Sequence, residues 1–317
     1  MTAKEDAPGG HGNSAPLRCD GLEVGQLIRR HVGYVRAESW TEAVHMMAAD
    51  QRVCRPLAGG TDLLALAHKG LVTWDLLVDI SQVAELRVVA EESGMLRVGA
   101  AVTHATACEH PLIRNRIPLL ASACRAIGSP QIRNRGTIGG NVGNAAACAD
   151  AVPALVCLDA SARVATPDGE YDVPIADLVC PSGRWRQLPW VLIREFSVPT
   201  PLPDTRMAHF KIGRRQAQAI ARLSLAFLGR MDDDGRVTEA RVVPGACTPS
   251  PQRFDRVEAV LLGEKVTEAL AQEAGRIGGE QMISITGKRW STRYKSEAIS
   301  ALIERSIRLV FGLPEVV

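Results

Sequence analysis

The sequence is poor in aromatic residues and in net charge. Phe, Trp and Tyr make up 4% of the chain, which argues against a surface that stacks RNA bases. Lys and Arg number 37 and Asp and Glu number 35, a formal net charge of +2. This charge balance does not favour nucleic acid or an acidic membrane as a partner. There is no run of about 18 apolar residues, so no membrane-spanning helix is expected.

Closely spaced cysteine pairs are also missing. The eight cysteines of the 317-residue chain are scattered, and no two are spaced C-x-x-C. Disulfide scaffolds are short and dense in cysteine, and structural zinc sites need close pairs. We therefore expect reduced thiols in the core and no metal site. The first residues lack the apolar segment of a signal peptide, and a cytoplasmic location is predicted.

Glycine and proline divide the chain into parts. Length alone favours two domains. Residues 1–31, which contain the Gly- and Pro-rich stretch Pro8–Pro16, are predicted to be a flexible N-terminal extension. The proline-rich stretch Val198–Pro203 is predicted to separate a first domain, 32–200, from a second, 204–317, because clustered prolines cannot join a sheet.

Both domains are predicted to be of the α+β class. In the first domain, capping residues, apolar runs and turn signals predict strands at 54–58 and 75–80, hairpins at 87–99 and 162–173, and helices at 39–50, 62–69, 103–109, 112–127 and 151–158. In the second domain, the turn Asp232–Gly235 lies between two apolar runs and predicts a hairpin. Helices are predicted to follow at about 255–280 and 294–311.

Two glycine-rich motifs in the first domain are candidates for binding chemistry. The first, Leu57–Leu63 (LAGGTDL), lies between a predicted strand and a predicted helix, and the second is Gly136–Asn141 (GTIGGN). Glycine lets a phosphate approach backbone amides closely, and consecutive amides in a turn form a nest for an anion. Neither G-x-x-x-x-G-K-[ST] nor a strand-linked G-x-G-x-x-G is present, which disfavours a P-loop or a Rossmann site. A diphosphate held between two loops and a pair of ordinary tight turns are both compatible with these motifs.

An ordered series of motifs resembles the FAD-binding subunits of the molybdenum hydroxylases. This family includes the medium subunit of carbon monoxide dehydrogenase and the FAD subunit of xanthine dehydrogenase. The matching runs are AGGTDL at 58–63, LVDI at 77–80, LRVGAAVTHA at 96–105, AIGSPQIRNRGTIGGN at 126–141 and FKIGRR at 210–215. The resemblance implies a vanillyl-alcohol-oxidase-type (PCMH-type) FAD-binding domain of two subdomains. A C-terminal α+β domain of the CO dehydrogenase flavoprotein type would follow it.

The resemblance also implies which residues hold FAD. The two loops would bind the diphosphate through backbone amides, Asp150 would hold the adenosine ribose, and Lys211 would contact the cofactor from the second domain. No catalytic residue and no metal ligand is nominated, because the flavin itself does the redox chemistry. The full expected cofactor-binding set is Leu57, Ala58, Gly59, Gly60, Thr61, Asp62, Leu63, Thr137, Ile138, Gly139, Gly140, Asn141, Asn144, Asp150 and Lys211.

Several of these residues have a structural alternative. Asp150 precedes an apolar helical segment and could simply cap it. Thr61 could cap a helix instead of meeting a phosphate, and Asn141 and Asn144 could be turn formers. Lys211 could belong to a solvated basic face.

Two further expectations concern the surroundings of the motifs. Cys148 lies in a segment where the family often carries A-S-P, so a thiol is expected beside the flavin site, either reactive or inert. Valine at Gly60 or Gly139 is expected to abolish FAD retention without unfolding the chain, because a side chain would block the phosphate.

The function implied by the resemblance is electron transfer. The expected partners are a molybdenum-binding large subunit and a small subunit with two [2Fe-2S] clusters, in a heterotrimer or a dimer of heterotrimers. The FAD of this chain would receive their electrons and pass them to NAD+, a quinone or another acceptor. No molybdopterin motif and no cysteine framework for an iron–sulfur cluster occurs in the sequence, so neither centre is expected here. A stand-alone flavin reductase or oxidase and a flavin-free scaffold subunit remain alternatives.

Overall fold

The computed structural model describes residues 33–49, 53–215 and 218–314, together with the backbone of a short strand pair at 18–19 and 22–23. Apart from that pair, the predicted N-terminal extension lies outside the described residues. The strands are β1 (Arg18–Cys19), β2 (Leu22–Glu23), β3 (Gly33–Arg36), β4 (Cys54–Leu57), β5 (Leu76–Asp79), β6 (Val89–Glu92), β7 (Met95–Gly99), β8 (Ser161–Thr166), β9 (Gly169–Pro174), β10 (Leu192–Pro199), β11 (Arg206–Ile212), β12 (Leu223–Met231) and β13 (Val237–Gly245). The α-helices are α1 (Trp40–Ala49), α2 (Leu63–His68), α3 (His104–Glu109), α4 (Pro111–Arg116), α5 (Pro118–Arg125), α6 (Pro130–Arg135), α7 (Ile138–Asn144), α8 (Ala151–Cys157), α9 (Ile175–Leu178), α10 (Asp255–Leu261), α11 (Glu268–Thr286) and α12 (Thr292–Phe311).

A small parallel sheet forms the first layer, in the order β3-β5-β4. Its central strand β5 is buried at all four positions, as expected for a parallel strand covered on both faces. Helix α1 begins after Ser39, whose hydroxyl accepts the amide of Glu42 at 3.2 Å. This bond confirms the predicted cap. Trp40 and Met47 of the helix are buried with Val78 of β5 in one cluster.

A five-stranded antiparallel sheet forms the second layer, in the order β6-β7-β10-β8-β9. Both predicted hairpins are confirmed, with turns at Ser93-Gly94 and Pro167-Asp168. Ser93 and Gly94 both have positive φ, 52° and 75°, the conformation that a tight hairpin turn requires. Helices α3 to α8 connect the two halves of this sheet in sequence, and all of them except α6, which buries no residue, contribute to its core.

The C-terminal region is a three-stranded antiparallel sheet, β11-β12-β13, on which the long helix α12 packs, and the second long helix, α11, packs against α12. The predicted hairpin at Asp232–Gly235 is confirmed. Phe227 of β12 meets Phe311 of α12 edge-on, with ring centroids 5.9 Å apart. Thr267 caps α11 by accepting the Leu270 amide.

The helices predicted at 112–127 and 255–280 are each divided into two shorter helices in the structure. The helix predicted at 112–127 breaks at Ile117, where φ is −133° and ψ is 59°, because Pro118 lacks an N–H and restricts the residue before it. The helix predicted at 255–280 ends at Leu261. Beyond it, Gly263 has φ of +80° and donates its amide to the Val237 carbonyl. Val237, the first residue of β13, donates its amide in turn to the Glu264 carbonyl, and these two bonds hold the segment against β13 until Thr267 starts the next helix.

The proline-rich stretch does not interrupt the sheet where it was expected to. Strand β10 continues through Pro199, which pairs with Met95 of β7. Pro199 is tolerated because the pairing of β10 with β8 ends at Ser197, so that β10 has a neighbouring strand on one side only at Pro199 and is an edge there. Residues 200–205 then lead to β11, and the core continues across them, since Ala226, Leu228 and Val243 of the second domain belong to the same buried cluster as the first.

Candidate functional site

The two glycine motifs face one cavity of about 270 Å³. One wall is the Leu57–Leu63 loop between β4 and α2, which we call the first loop. The opposite wall is formed by Thr137, Gly139, Gly140, Asn141, Gly143 and Asn144, in the segment from Gly136 to Asn144 that we call the second loop. Val191, Leu192 and Ile193, at and before the start of β10, close a third side. The other lining residues are Arg55, Pro56, Leu66, Val72, Ile80, Ala100 and His104.

The first loop offers free backbone donors. Strand β4 ends at Leu57 and helix α2 begins at Leu63, and the first N–H groups of a helix have no partner within it. In the described part of the chain, no atom accepts a hydrogen bond from the amides of Gly59, Gly60, Thr61 or Asp62. Gly60 has φ of +72°, a backbone conformation that glycine adopts without strain. This arrangement is suited to an anionic group with several acceptor oxygens.

The second loop is held by backbone hydrogen bonds to the segment from Ala100 to His104. Ile138 donates its amide to Val102 O at 3.0 Å, and Gly139 donates to Ala100 O at 2.9 Å. Thr137 caps α7 by accepting the Gly140 amide at 3.0 Å. The amides expected to meet a diphosphate from this side are therefore already engaged. Ile138 itself is fully buried in the core and does not line the cavity.

The two loops touch each other. A Cβ on Gly59 would overlap the carbonyl oxygen of Arg135 and lie 2.9 Å from the Cα of Gly136. Only glycine allows this approach. A Cβ on Gly136 would lie 3.4 Å from the Thr61 hydroxyl and 3.1 Å from the Cδ2 of His104. Helix α2 is preceded by Asp62, not Thr61, so the alternative role of Thr61 as a helix cap is wrong.

Two buried polar atoms belong to residues that line this cavity. Asn141 Oδ1 and His104 Nδ1 are shielded from solvent and have no hydrogen-bond partner among the described residues. His104 is 3% exposed, and burial together with the charge of Arg133 lowers its pKa to about 4. Buried polar groups normally have partners. Free amides and unpartnered side chains around one cavity fit a polar, phosphate-bearing cofactor.

The two remaining expected cofactor residues lie outside the cavity and bind each other. Lys211 Nζ donates to Asp150 Oδ2 at 2.6 Å and to Ala126 O at 2.8 Å. Asp150 precedes α8, but its side chain makes no cap hydrogen bond, so the helix-cap alternative is wrong. Desolvation raises the pKa of Asp150, against the opposing effect of Lys211. The second oxygen, Asp150 Oδ1, is buried without a partner.

The structure also bears on two further expectations, the basic face at Lys211 and the thiol of Cys148. Lys211 is largely buried and paired, so it does not belong to a solvated basic face, whereas Arg214 and Arg215 are exposed. Desolvation and the charge of Asp150 raise the pKa of the Cys148 thiol. A raised pKa disfavours the thiolate, which is the nucleophilic form, and Cys148 is not among the residues that line the cavity.

Sequence reasoning missed the residues that support the second loop and close the cavity. Ala100 and His104 lie inside the run LRVGAAVTHA, which carried the resemblance but had received no role. Ile80 is the last residue of the matching run LVDI at 77–80. No local signal marks Val191–Ile193, because these residues reach the cavity only through the pairing of β10 with β7 and β8.

Known protein families match both parts of the chain. Residues 30–201 match the model of the FAD-binding domain in molybdopterin dehydrogenase, and residues 208–310 match the C-terminal domain of CO dehydrogenase flavoproteins. A putative xanthine dehydrogenase FAD-binding subunit of Escherichia coli K12 is 34% identical over 227 residues, which cover 71% of this chain and 77% of the relative. The chain belongs to the FAD-binding subunits of the molybdenum hydroxylase family. The predicted family, fold class and cofactor, FAD, are thereby confirmed.

Other members of the family are similar over most of their length. The nicotinate dehydrogenase FAD subunit of Eubacterium barkeri is 27% identical over 252 residues, covering 78% of this chain and 85% of the relative. Among solved structures, a carbon monoxide dehydrogenase from Hydrogenophaga pseudoflava aligns with a TM-score of 0.82 and 25% identity, covering 90% of this chain and 99% of the other. In this FAD-binding subunit, no helix within the described residues has the length and apolarity needed to cross a membrane.

Proposed function

We propose that this FAD-binding subunit transfers electrons within a molybdenum hydroxylase complex. Its FAD would receive electrons from the [2Fe-2S] clusters of a small subunit and pass them to an external acceptor such as NAD+ or a quinone. A large subunit would carry the molybdenum centre, and the three chains would form a heterotrimer or a dimer of heterotrimers. The names of similar proteins, which include a nicotinate dehydrogenase FAD subunit and a carbon monoxide dehydrogenase medium chain, support this assignment.

The observation that carries the proposal is the row of free amides in the first loop. We infer that the N–H groups of Gly59 to Asp62 bind the diphosphate of FAD, because consecutive free amides at a helix start select an anion. The second loop contributes the Asn141 side chain and the Thr137 hydroxyl, while its backbone keeps the loop rigid. When bound, the flavin accepts and releases electrons, and the protein supplies position and electrostatics.

The Asp150–Lys211 pair is proposed to position the cofactor from the domain junction. Asp150 Oδ1 keeps a free acceptor site there, and Lys211 brings a positive charge from the second domain. The boundary between the two domains is proposed to lie between residues 200 and 204.

The proposed binding of FAD is tested by the flavin content of the purified chain and by one matched pair of variants. The purified chain is expected to show the absorption bands of oxidised flavin and to release FAD, not FMN, on heating. Asn141→Ala removes a buried acceptor that has no protein partner, so its FAD affinity should fall roughly tenfold while the melting temperature of the flavin-free protein stays unchanged. Asn134→Ala, on exposed helix α6, is the control and should bind FAD normally. A colourless protein that stays colourless with added FAD would favour the flavin-free scaffold.

The electron-transfer half needs a separate experiment. The reduced chain is mixed with NAD+ or with a quinone, and reoxidation is followed at the flavin absorption band. The expected result is that NAD+ or a quinone reoxidises the flavin. The chain is also expected to copurify with two partner chains, and in that complex the organic substrate should reduce the flavin. Turnover of NADH or a small organic substrate by the single chain, without partners, would instead support the stand-alone flavin enzyme.

A further inference from the structure

His104 lies where the two loops meet, yet none of the expected cofactor contacts includes it. It is the first residue of α3, and its backbone amide donates to Gly136 O at 2.9 Å. Its ring packs beneath the second loop, since a Cβ on Gly136 would lie only 3.1 Å from Cδ2. The side chain lines the cavity and is 97% removed from solvent, given its 3% exposure.

The fold itself makes no visible use of the imidazole nitrogens. The cap of α3 is supplied by Thr103, whose hydroxyl accepts the Thr106 amide at 3.1 Å. His104 Nδ1 is buried and bonds to nothing in the described chain. Leaving a buried polar group unpaired destabilises the folded chain. An apolar side chain would fill the same space without this cost.

The surroundings keep the ring neutral. Burial and the nearby guanidinium of Arg133 lower the pKa of His104 to about 4, and no carboxylate contributes to this shift. A neutral imidazole carries one N–H donor and one acceptor nitrogen. It can therefore form a hydrogen bond with a cofactor oxygen without placing a second charge in the cavity.

We propose that His104 is a further cofactor-binding residue, and that Nδ1–H donates a hydrogen bond to an oxygen of bound FAD at the junction of the two loops. The inference rests on the proposed placement of FAD in this cavity. It also explains why the run LRVGAAVTHA contributes to the site. Through its backbone, Ala100 to His104 holds the second loop, and through its ring, His104 reaches the cofactor.

Two substitutions separate a hydrogen bond from a packing role. His104→Phe keeps a flat ring and removes both nitrogens, whereas His104→Asn places an amide N–H close to the position of Nδ1. His110→Phe is the matched control, because His110 Nδ1 is likewise buried and unpartnered but His110 does not line the cavity. All are made in the full chain, stripped of flavin, and FAD binding is measured by quenching of flavin fluorescence.

The expected result is a dissociation constant for FAD raised roughly tenfold in H104F and restored to within about threefold of wild type in H104N. H110F should bind FAD as wild type does. The flavin-free H104F protein should melt at the wild-type temperature or above, because a buried unpaired group has been removed.

Other results would overturn the inference. Wild-type FAD affinity in H104F would show that the nitrogen is not used. A lower melting temperature of flavin-free H104F would show that the ring is structural. Equal loss of affinity in H104F and H104N would also contradict the hydrogen bond. If the wild-type chain itself fails to bind FAD, the proposed function fails together with this inference, whereas normal wild-type binding with an unaffected H104F rejects the inference alone.

Discussion

At the scale of single residues, the junction between β11 and the first domain concentrates buried polar groups. Lys211 and Asp150 form an ion pair there in which both side chains are largely buried, with 12% and 6% exposure. Two residues earlier on the same strand, His209 has its Nε2 buried without a partner. Burial and the charge of Lys211 lower the pKa of His209 to about 4. The protein thus holds a neutral imidazole beside a cation.

This depressed pKa predicts an acid-dependent loss of stability. An unfolded histidine takes up a proton near pH 6.5 and the folded His209 only near pH 4, so its contribution to stability is complete above pH 6.5 and is lost as the pH falls toward 4. A shift of this size corresponds to at most about 3 kcal/mol. His209→Leu should therefore gain stability relative to wild type as the pH falls through this window, measured by urea unfolding at pH 7, 6, 5 and 4. A difference between the two proteins that does not change with pH would refute the role of His209.

At the scale of elements, the second loop depends on backbone contacts that leave no room for a side chain. A Cβ on Gly139 would lie 2.6 Å from the Ala100 carbonyl oxygen and 2.7 Å from the Ala100 Cβ. Gly143, in the same helix α7, meets nothing closer than Ile193 Cδ1 at 4.0 Å. This packing argues against the expectation that Gly139→Val would spare the fold, because a valine side chain would overlap the Ala100 segment that holds the helix.

Alanine at these two glycines should have opposite effects. Gly139→Ala should lower the melting temperature of the flavin-free protein, since the overlap with Ala100 has to be relieved by moving backbone; overpacking of this kind costs about 1–3 kcal/mol. Gly143→Ala should leave the melting temperature unchanged or raise it, because alanine is more favourable than glycine in a helix by up to about 1 kcal/mol. Thermal unfolding followed by circular dichroism distinguishes them. Equal melting temperatures for the two variants would contradict this packing.

At the scale of the whole molecule, one buried cluster extends across both domains, although most buried residues of the second domain form a cluster of their own. Helix α8 of the first domain packs on β12 and β13 of the second, and a Cβ on Gly245 would lie 2.7 Å from Pro153 Cγ. Arg241 adds polar links, donating to Cys157 O at 3.2 Å and pairing with Asp159 at 2.8 Å. The domains are therefore expected to unfold together.

A core substitution in the second domain tests this coupling. Leu228 of β12 is 1% exposed and belongs to the core cluster of the first domain. Leu228→Ala should destabilise the protein by about 2–5 kcal/mol, and calorimetry should still show one transition at a lower temperature. Two separate transitions, with only one of them shifted, would mean that the domains are independent.

Much of the fold could be predicted from local signals. Turn residues predicted hairpins at 87–99 and 162–173, which the structure has at 89–99 and 161–174, and Ser39 and Thr103 marked helix starts that the structure confirms. The predictions failed where proline or a nonlocal contact intervened. Pro118 divided one helix, and pairing of the segment after Leu261 with β13 divided another.

The sequence by itself indicated the family and the cofactor through the resemblance of its ordered motifs. It also marked the two loops, because glycine motifs act through local backbone freedom that is encoded in a few adjacent residues. Only the tertiary structure decided which polar groups at the site are paired and which are left free. It left the amides of the first loop free while engaging those of the second, and it joined Asp150 to Lys211, 61 residues apart. It also buried His104 without a partner. Each of these outcomes depends on which distant atoms the packing brings within hydrogen-bond range, and that information lies in no single segment of the chain.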